Sequence, residues 1–205
     1  ASVSGTFSAN ALFMMDELME KKPDLVFLDY SVNDPGQYYL QEAFEGLVHH
    51  FLENGTYVCV LLFCNQNGNC TRGAMTRIAH YYDIPLLDIG GVVMENIREN
   101  RFSWDDYASD YVHPRIEGHE FIADNILHCF RYAMERNEEI PYVIPEEPCF
   151  DGSFWKLEKL EDLNYDDNQV FVTKKYCSVI VAEFLQIPQE NDFKVEVLID
   201  GEVKE

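Results

Sequence analysis

Three short stretches of this chain carry residue types that together could bind a ligand and supply a base to it. Just past the midpoint, Asp110-Tyr111-Val112-His113-Pro114 places a carboxylate three residues before an imidazole. On a turning segment that spacing lets the carboxylate take one ring N–H, fix the tautomer and leave the other nitrogen as a base. Upstream, Ser31-Val32-Asn33-Asp34-Pro35-Gly36 presents a side-chain amide, and Ala1-Ser2-Val3-Ser4-Gly5-Thr6 a glycine whose backbone N–H can approach a ligand closely. Singly, each stretch has a plainer reading: Gly5 as a helix-entry glycine, Asn33 to Gly36 as a turn, Asp110 and His113 as a helix cap. Their order, each at a junction from strand to helix, favours the chemical reading.

Weaker candidates surround them. Asn65-Gln66-Asn67-Gly68-Asn69 follows a strand at the same rim. Polar loops are usually just solvated, but Asn65 and Gln66 could contact a sugar-like substrate. Trp104, before Asp105-Asp106, reads as packing first and as substrate wall second. His113 and His119 lack a third ligand at a supporting spacing, so no metal and no cofactor is expected. His49, His50, His80 and His128 read as surface or boundary residues on helices.

The elements that must position these residues alternate from residue 7 to about 135. Residues 7–22 read as one helix with Leu12, Met15, Leu18 and Met19 on a stripe, closed by Lys21-Lys22-Pro23. Residues 24–30 are an apolar run fit for a strand covered on both faces. Leu40, Ala43, Phe44, Leu47, Val48 and Phe51 mark the clearest amphipathic helix, ended by Asn54-Gly55. Residues 56–63 give a second buried strand, a helix carries Met75, Ile78, Ala79 and Tyr82, residues 85–89 a short third strand, and residues 91–99 a short helix. A last helix from about Arg115 to Arg136 is expected to bury Ile122, Ile126, Phe130 and Ala133. Such alternation implies a parallel sheet with helices on both faces, and in such sheets ligands bind at the carboxyl ends of the strands.

The three stretches resemble the ordered blocks of the SGNH (GDSL-type) hydrolase family. ASVSGT is similar to its Gly block, DLVFLDYSVND to its Asn block and DYVHPRIEGH to its Asp–His block, with Gly118-His119 as the GH pair that follows. The resemblance covers residues 1–135. It implies an α/β fold, a three-layer α/β/α parallel sheet (flavodoxin-like), with His113 and Asp110 catalytic and Gly5 and Asn33 in the oxyanion hole. Ser31 stands where the family's Asn block has Gly. The family's serine block has no counterpart here, and Ser2 and Ser4 are poor substitutes because the oxyanion-hole loop faces the reaction from the wrong side. The chain therefore reads as a fragment cut at both ends, with the nucleophile supplied upstream of residue 1.

Residues 137–150, with Pro141, Pro145 and Pro148 among glutamates, read as a linker. Beyond it the period drops toward two. Residues 154–160, 170–173, 177–184 and 193–199 read as strands of a smaller β-rich, sandwich-like accessory domain over 151–205. Asp200-Gly201 is a hairpin signal with too little chain after it for a returning strand.

Composition narrows the partners. The 205 residues hold 37 acidic against 15 basic side chains, a net charge of −22. Residues 1–135 carry 20 of those acids and 8 of the bases, so the excess is spread along the chain. A uniformly acidic surface excludes a phosphate backbone and an anionic membrane as main partners. No run of about 18 apolar residues is present to span a bilayer. Six cysteines without a CxxC pair read as reduced thiols, which favours the cytoplasm. Oligomeric state is not legible. The expected function is a serine esterase acting on acyl, notably O-acetyl, esters of a carbohydrate or small polar substrate. Its rival is a catalytically silent carbohydrate-binding or scaffolding protein of the same fold.

Overall fold

The computed structural model describes residues 6–136, 142–152, 155, 197–199 and 202–204. Three strands, β1 (Leu25–Leu28), β2 (Tyr57–Leu61) and β3 (Leu86–Leu87), form a parallel sheet in the order β1-β2-β3. Val26 lies beside Val58, Phe27 beside Cys59 and Val60 beside Leu86. Parallel neighbours require crossovers, and helices α3 (Tyr38–Glu53) and α4 (Arg72–Tyr81) supply them.

Strand alternation separates two apolar clusters. Val26, Leu28, Val58, Val60 and Leu62 join Leu40, Phe44, Leu47, Phe51, Met75 and Ile78 in the larger one. The smaller gathers Ile89, Val93, Trp104 and Tyr107, with Leu87 and Phe121 against it. Apart from Leu87 of β3, these come from α5 (Ile89–Arg98), α6 (Trp104–Tyr107) and α7 (Ile116–Arg136). Helix α3 ends where the sequence places its end: Gly55 takes φ +78°, and its N–H bonds the Leu52 carbonyl at 3.0 Å.

Five sequence expectations need correction. The helix over 7–22 is two, α1 (Ser8–Phe13) and α2 (Met15–Glu20), because Met14 tightens the turn with an N–H to the Ala11 carbonyl at 3.0 Å. On α7 only Gly118 is fully buried; Ile122, Ile126, Phe130 and Ala133 are half-buried. Phe130 meets the edge of Phe27, itself 41% exposed on β1, with ring centroids 6.0 Å apart. Among the described residues nothing pairs with the far edge of β1, so part of α7 has no sheet opposite it. His49 is buried, its ring stacked on Trp155 at 3.6 Å, and is no surface residue.

Finally, the chain after residue 199 does return: β4 (Val197–Ile199) pairs antiparallel with β5 (Glu202–Lys204). Three residues suffice, since a two-residue connection leaves no slack to close. Trp155 lies in a 3₁₀ turn rather than a strand. The other strands expected between 156 and 196 lie outside the described residues.

The proline-rich stretch is held against the helices over its described part. Fully buried Glu45 of α3 accepts the Cys149 N–H at 2.5 Å, the Phe150 N–H at 2.8 Å and the Tyr82 hydroxyl at 3.1 Å. Arg77 donates to the Cys149 carbonyl at 2.9 Å and sits over the Phe150 ring. A buried carboxylate with three donors is the arrangement that offsets its desolvation.

Candidate active site

The carboxyl ends of β1 and β2 open into two loops that are bonded to each other. Ser31, fully buried just after β1, donates its hydroxyl to the Phe63 carbonyl at 3.1 Å and accepts the Phe63 N–H at 2.7 Å. Its own carbonyl takes the Thr71 N–H at 2.7 Å. Ser31 therefore ties the β1 loop to both ends of the β2 loop, to Phe63 through its hydroxyl and to Thr71 through its backbone carbonyl. Ser31→Ala removes both hydroxyl bonds and leaves the Phe63 N–H without its acceptor, so the expected loss is roughly 1–3 kcal/mol. Urea denaturation checks it; an unchanged midpoint would remove Ser31 as the tie.

Asn33 and Asp34 follow. The Asn33 amide donates one N–H to the Thr6 carbonyl at 3.1 Å, which leaves its second N–H for a ligand. Asp34 accepts the Ser8 N–H at 2.9 Å, anchoring the start of α1 beside the loop. Burial pushes its carboxyl up to about 6, against the Ser8 bond that lowers it. Residues 6 to 8 are thus fixed beside Asn33. Gly5, the expected backbone donor, lies outside the described residues.

The Asp–His segment is a small closed loop. Ala108 bridges Pro114, the Ser109 N–H bonds the His113 carbonyl at 2.9 Å, and the Arg115 N–H bonds the Tyr107 carbonyl at 2.8 Å. Within it, His113 Nδ1 lies 2.8 Å from Asp110 Oδ2 and 3.1 Å from Oδ1. The same Oδ1 accepts the Val112 and His113 backbone N–H groups, each at 2.8 Å. The Val112 bond, then the His113 backbone and ring bonds, hold the Asp110 carboxyl down at about 2. It is a carboxylate at any working pH, able to hold Nδ1–H and leave Nε2 as the base.

Trp104 occupies a different place from a substrate wall. It is 7% exposed, and its indole N–H donates to the Asp110 carbonyl at 2.7 Å. Helix α6, which carries it, starts from a capping box between Ser103 and Asp106. The sequence Ser103-Trp104-Asp105-Asp106 contains that signal, a serine followed three residues later by an acid.

The polar loop reaches the Asp–His segment directly. Asn65 folds its own loop, its Oδ1 accepting the Asn67 and Asn69 N–H groups at 3.0 Å each. The Gln66 backbone N–H bonds the Tyr111 carbonyl at 3.0 Å, and the Asn67 amide donates to the Tyr111 hydroxyl at 3.1 Å. Asn65 thus acts on the loop, while the Gln66 side chain is exposed. Sequence marks Ser31 only as a departure from glycine and does not distinguish Asn67; Tyr111 carries the signal of a large aromatic between two candidate site residues. Among the described residues no three His, Cys, Asp or Glu side chains cluster to hold a metal.

No family model matches the chain, and no curated protein does either. Solved structures do. One is a crystal structure of a two-domain esterase (CEX) active on acetylated mannans, co-crystallised with mannopentaose. It shares 24% identity and a TM-score of 0.67 over 75% of this chain and 42% of its own. A second structure of a two-domain esterase (CEX) active on acetylated mannans gives 23%, 0.68, 81% and 46%. The chain therefore spans less than half the length of these neighbours, and at such identities the likeness is one of fold.

Proposed function

We propose that this chain is the greater part of a serine esterase domain of SGNH type that removes O-acetyl groups from a carbohydrate. The observation that carries the reading is the Asp110–His113 pair, with both carboxylate oxygens within 3.1 Å of Nδ1, on a loop bonded to the β2 rim. The acetylated-mannan substrate of the similarly folded esterase supports the carbohydrate half of it. The flavodoxin-like three-layer architecture, with a smaller β-rich domain after it, belongs to the same reading.

The chemistry runs as acyl transfer. A serine Oγ attacks the ester carbonyl carbon while His113 Nε2 takes its proton. The tetrahedral oxyanion receives the free Asn33 amide N–H, the Gly5 N–H and the serine's own N–H. Collapse expels the sugar hydroxyl, protonated by the imidazolium, and water then repeats the sequence on the acyl-enzyme. Asp110 orients the ring and stabilises its positive charge. The serine comes from a segment outside these 205 residues, at the end of a parallel strand added to the edge of β1 that no described strand occupies. Half-exposed Phe27 and the incompletely covered face of α7 support that placement.

The test is fluorophosphonate labelling of the full-length protein, read by intact mass. One adduct, on a serine outside residues 1–205 and lost in His113→Ala, is expected. A folded full-length protein that takes no adduct is not a serine esterase, and the silent binder replaces this reading. Asn33→Ala is expected to lower kcat about 10²–10³-fold, as loss of one oxyanion donor does. Steady-state kinetics on an acetyl ester measures it, and a loss below threefold would free Asn33 of that role.

A further inference from the structure

Between the two residues of the Asp–His pair the chain presents a large aromatic ring to solvent. Tyr111 is 46% exposed, yet it is not loose. Its hydroxyl is held by the Asn67 amide at 3.1 Å and its carbonyl by the Gln66 N–H at 3.0 Å. Asn67 is in turn fixed by Asn65, whose Oδ1 takes the Asn67 and Asn69 N–H groups. An exposed ring whose far end is clamped by a rigid loop costs little entropy when a ligand covers it.

The surroundings match one class of ligand. A pyranose offers an apolar C–H face and a rim of hydroxyls, so it is bound by an aromatic ring flanked by polar side chains. Tyr111 supplies the ring; Gln66 and Asn67, both exposed, supply amides that donate and accept. None of these groups is charged, and a neutral saccharide pays no penalty for the protein's −22. Trp104 cannot take the role, being buried with its N–H spent on Asp110.

We infer that Tyr111, clamped by Asn67, is the saccharide platform of this site, stacking on the sugar that bears the ester or its neighbour in the chain. The inference rests on the esterase reading for its reaction, but its binding consequence stands apart from catalysis.

Two measurements on the full-length protein test it. Mannopentaose is titrated calorimetrically into the His113→Ala protein with and without Tyr111→Leu. A Kd raised about tenfold by Tyr111→Leu and held within threefold by Tyr111→Phe is expected, since one stacked ring is worth about that factor. In the active protein, the ratio of kcat/KM for acetylated mannopentaose to that for p-nitrophenyl acetate falls by a similar factor in Tyr111→Leu and is kept in Tyr111→Phe. Tyr111→Phe as damaging as Tyr111→Leu would make the tyrosine a structural tie for the loop, and an unchanged ratio with both rates lowered would make it a positioning residue for Asp110. Either overturns the platform, as does an unaltered Kd. Full ester turnover by His113→Ala would instead sink the esterase mechanism, while the calorimetric arm still decides the platform.

Discussion

On the proposed mechanism, His113→Ala in the full-length protein is expected to lower kcat by roughly 10⁴–10⁶-fold with no loss of fold, the range found when the base of a catalytic triad is removed. The fold is expected to be indifferent because the imidazole is 74% exposed and, among the described residues, its ring is bonded to Asp110 on the same loop. Exposed substitutions of this kind shift stability by about 0.5 kcal/mol or less. Asp110→Asn is expected to cost about 10⁴-fold, since a neutral amide neither holds the imidazole tautomer nor stabilises imidazolium. The new amide oxygen can still take the Val112 and His113 N–H groups, so the loop survives. Circular dichroism and thermal melting separate fold from function here. A kcat retained within tenfold in both variants would remove the pair from the mechanism.

The same carboxylate has a pH signature. Its folded value of about 2 lies below the ordinary 3.8, so its contribution to stability is fully present above the ordinary value and lost as pH falls toward about 2. The melting-temperature difference between the protein and its Asp110→Asn variant should shrink over that window and be flat above it. An acid limb in the rate profile above pH 5 therefore does not report Asp110.

Gly118→Ala is the second large effect, and its sign is the informative part. In an exposed helix, alanine for glycine stabilises by about 1 kcal/mol. Here a Cβ at 118 would stand 2.1 Å from the Tyr107 carbonyl oxygen and 3.0 Å from the Pro114 Cβ. The first contact is with backbone, which cannot swing aside. That carbonyl also accepts the Arg115 N–H that closes the Asp–His loop. We expect a loss of roughly 1–3 kcal/mol, as for other overpacked sites, and a melting point lower by several degrees. Ester turnover falls with it, because α7 can make room only by displacing the loop that carries His113. A stabilised Gly118→Ala would show that α7 does not press on Tyr107.

Local pattern and order were enough for much of this. Continuous apolar runs over 24–30 and 56–63 are readable as strands, and β2 is buried as a parallel strand covered on both faces would be, whereas β1 leaves Phe27 41% exposed, against the expectation of two covered faces. Helix α3 announces its buried stripe in its spacing and its end in Asn54-Gly55. Asp110 and His113 meet because three residues of turning chain bring them together, a contact that needs no tertiary information. The Ser103–Asp106 capping box is equally local, a serine followed three residues later by an acid.

Other features are set by neighbours distant in the chain. The Pro-rich stretch resembles a linker locally, yet Glu45, more than a hundred residues earlier, captures Cys149 and Phe150 through a buried carboxylate. His49 lies on a helix with polar neighbours and is buried because Trp155 stacks on it. Ser31 looks like a tolerated change from glycine until Phe63 is seen to take both of its hydrogen bonds. Trp104 and Tyr111 have opposite fates for the same reason: which aromatic is walled in and which faces solvent depends on the packing of α6 and on the Asn65–Asn69 loop. Hydrophobic periodicity and short-range hydrogen bonding are properties of a sequence window, and they determined the strands, the main helices and the acid–base pair. Burial and long-range hydrogen bonding belong to pairs of windows, so only the folded chain decided which polar and aromatic residues support the site and which remain open to a ligand.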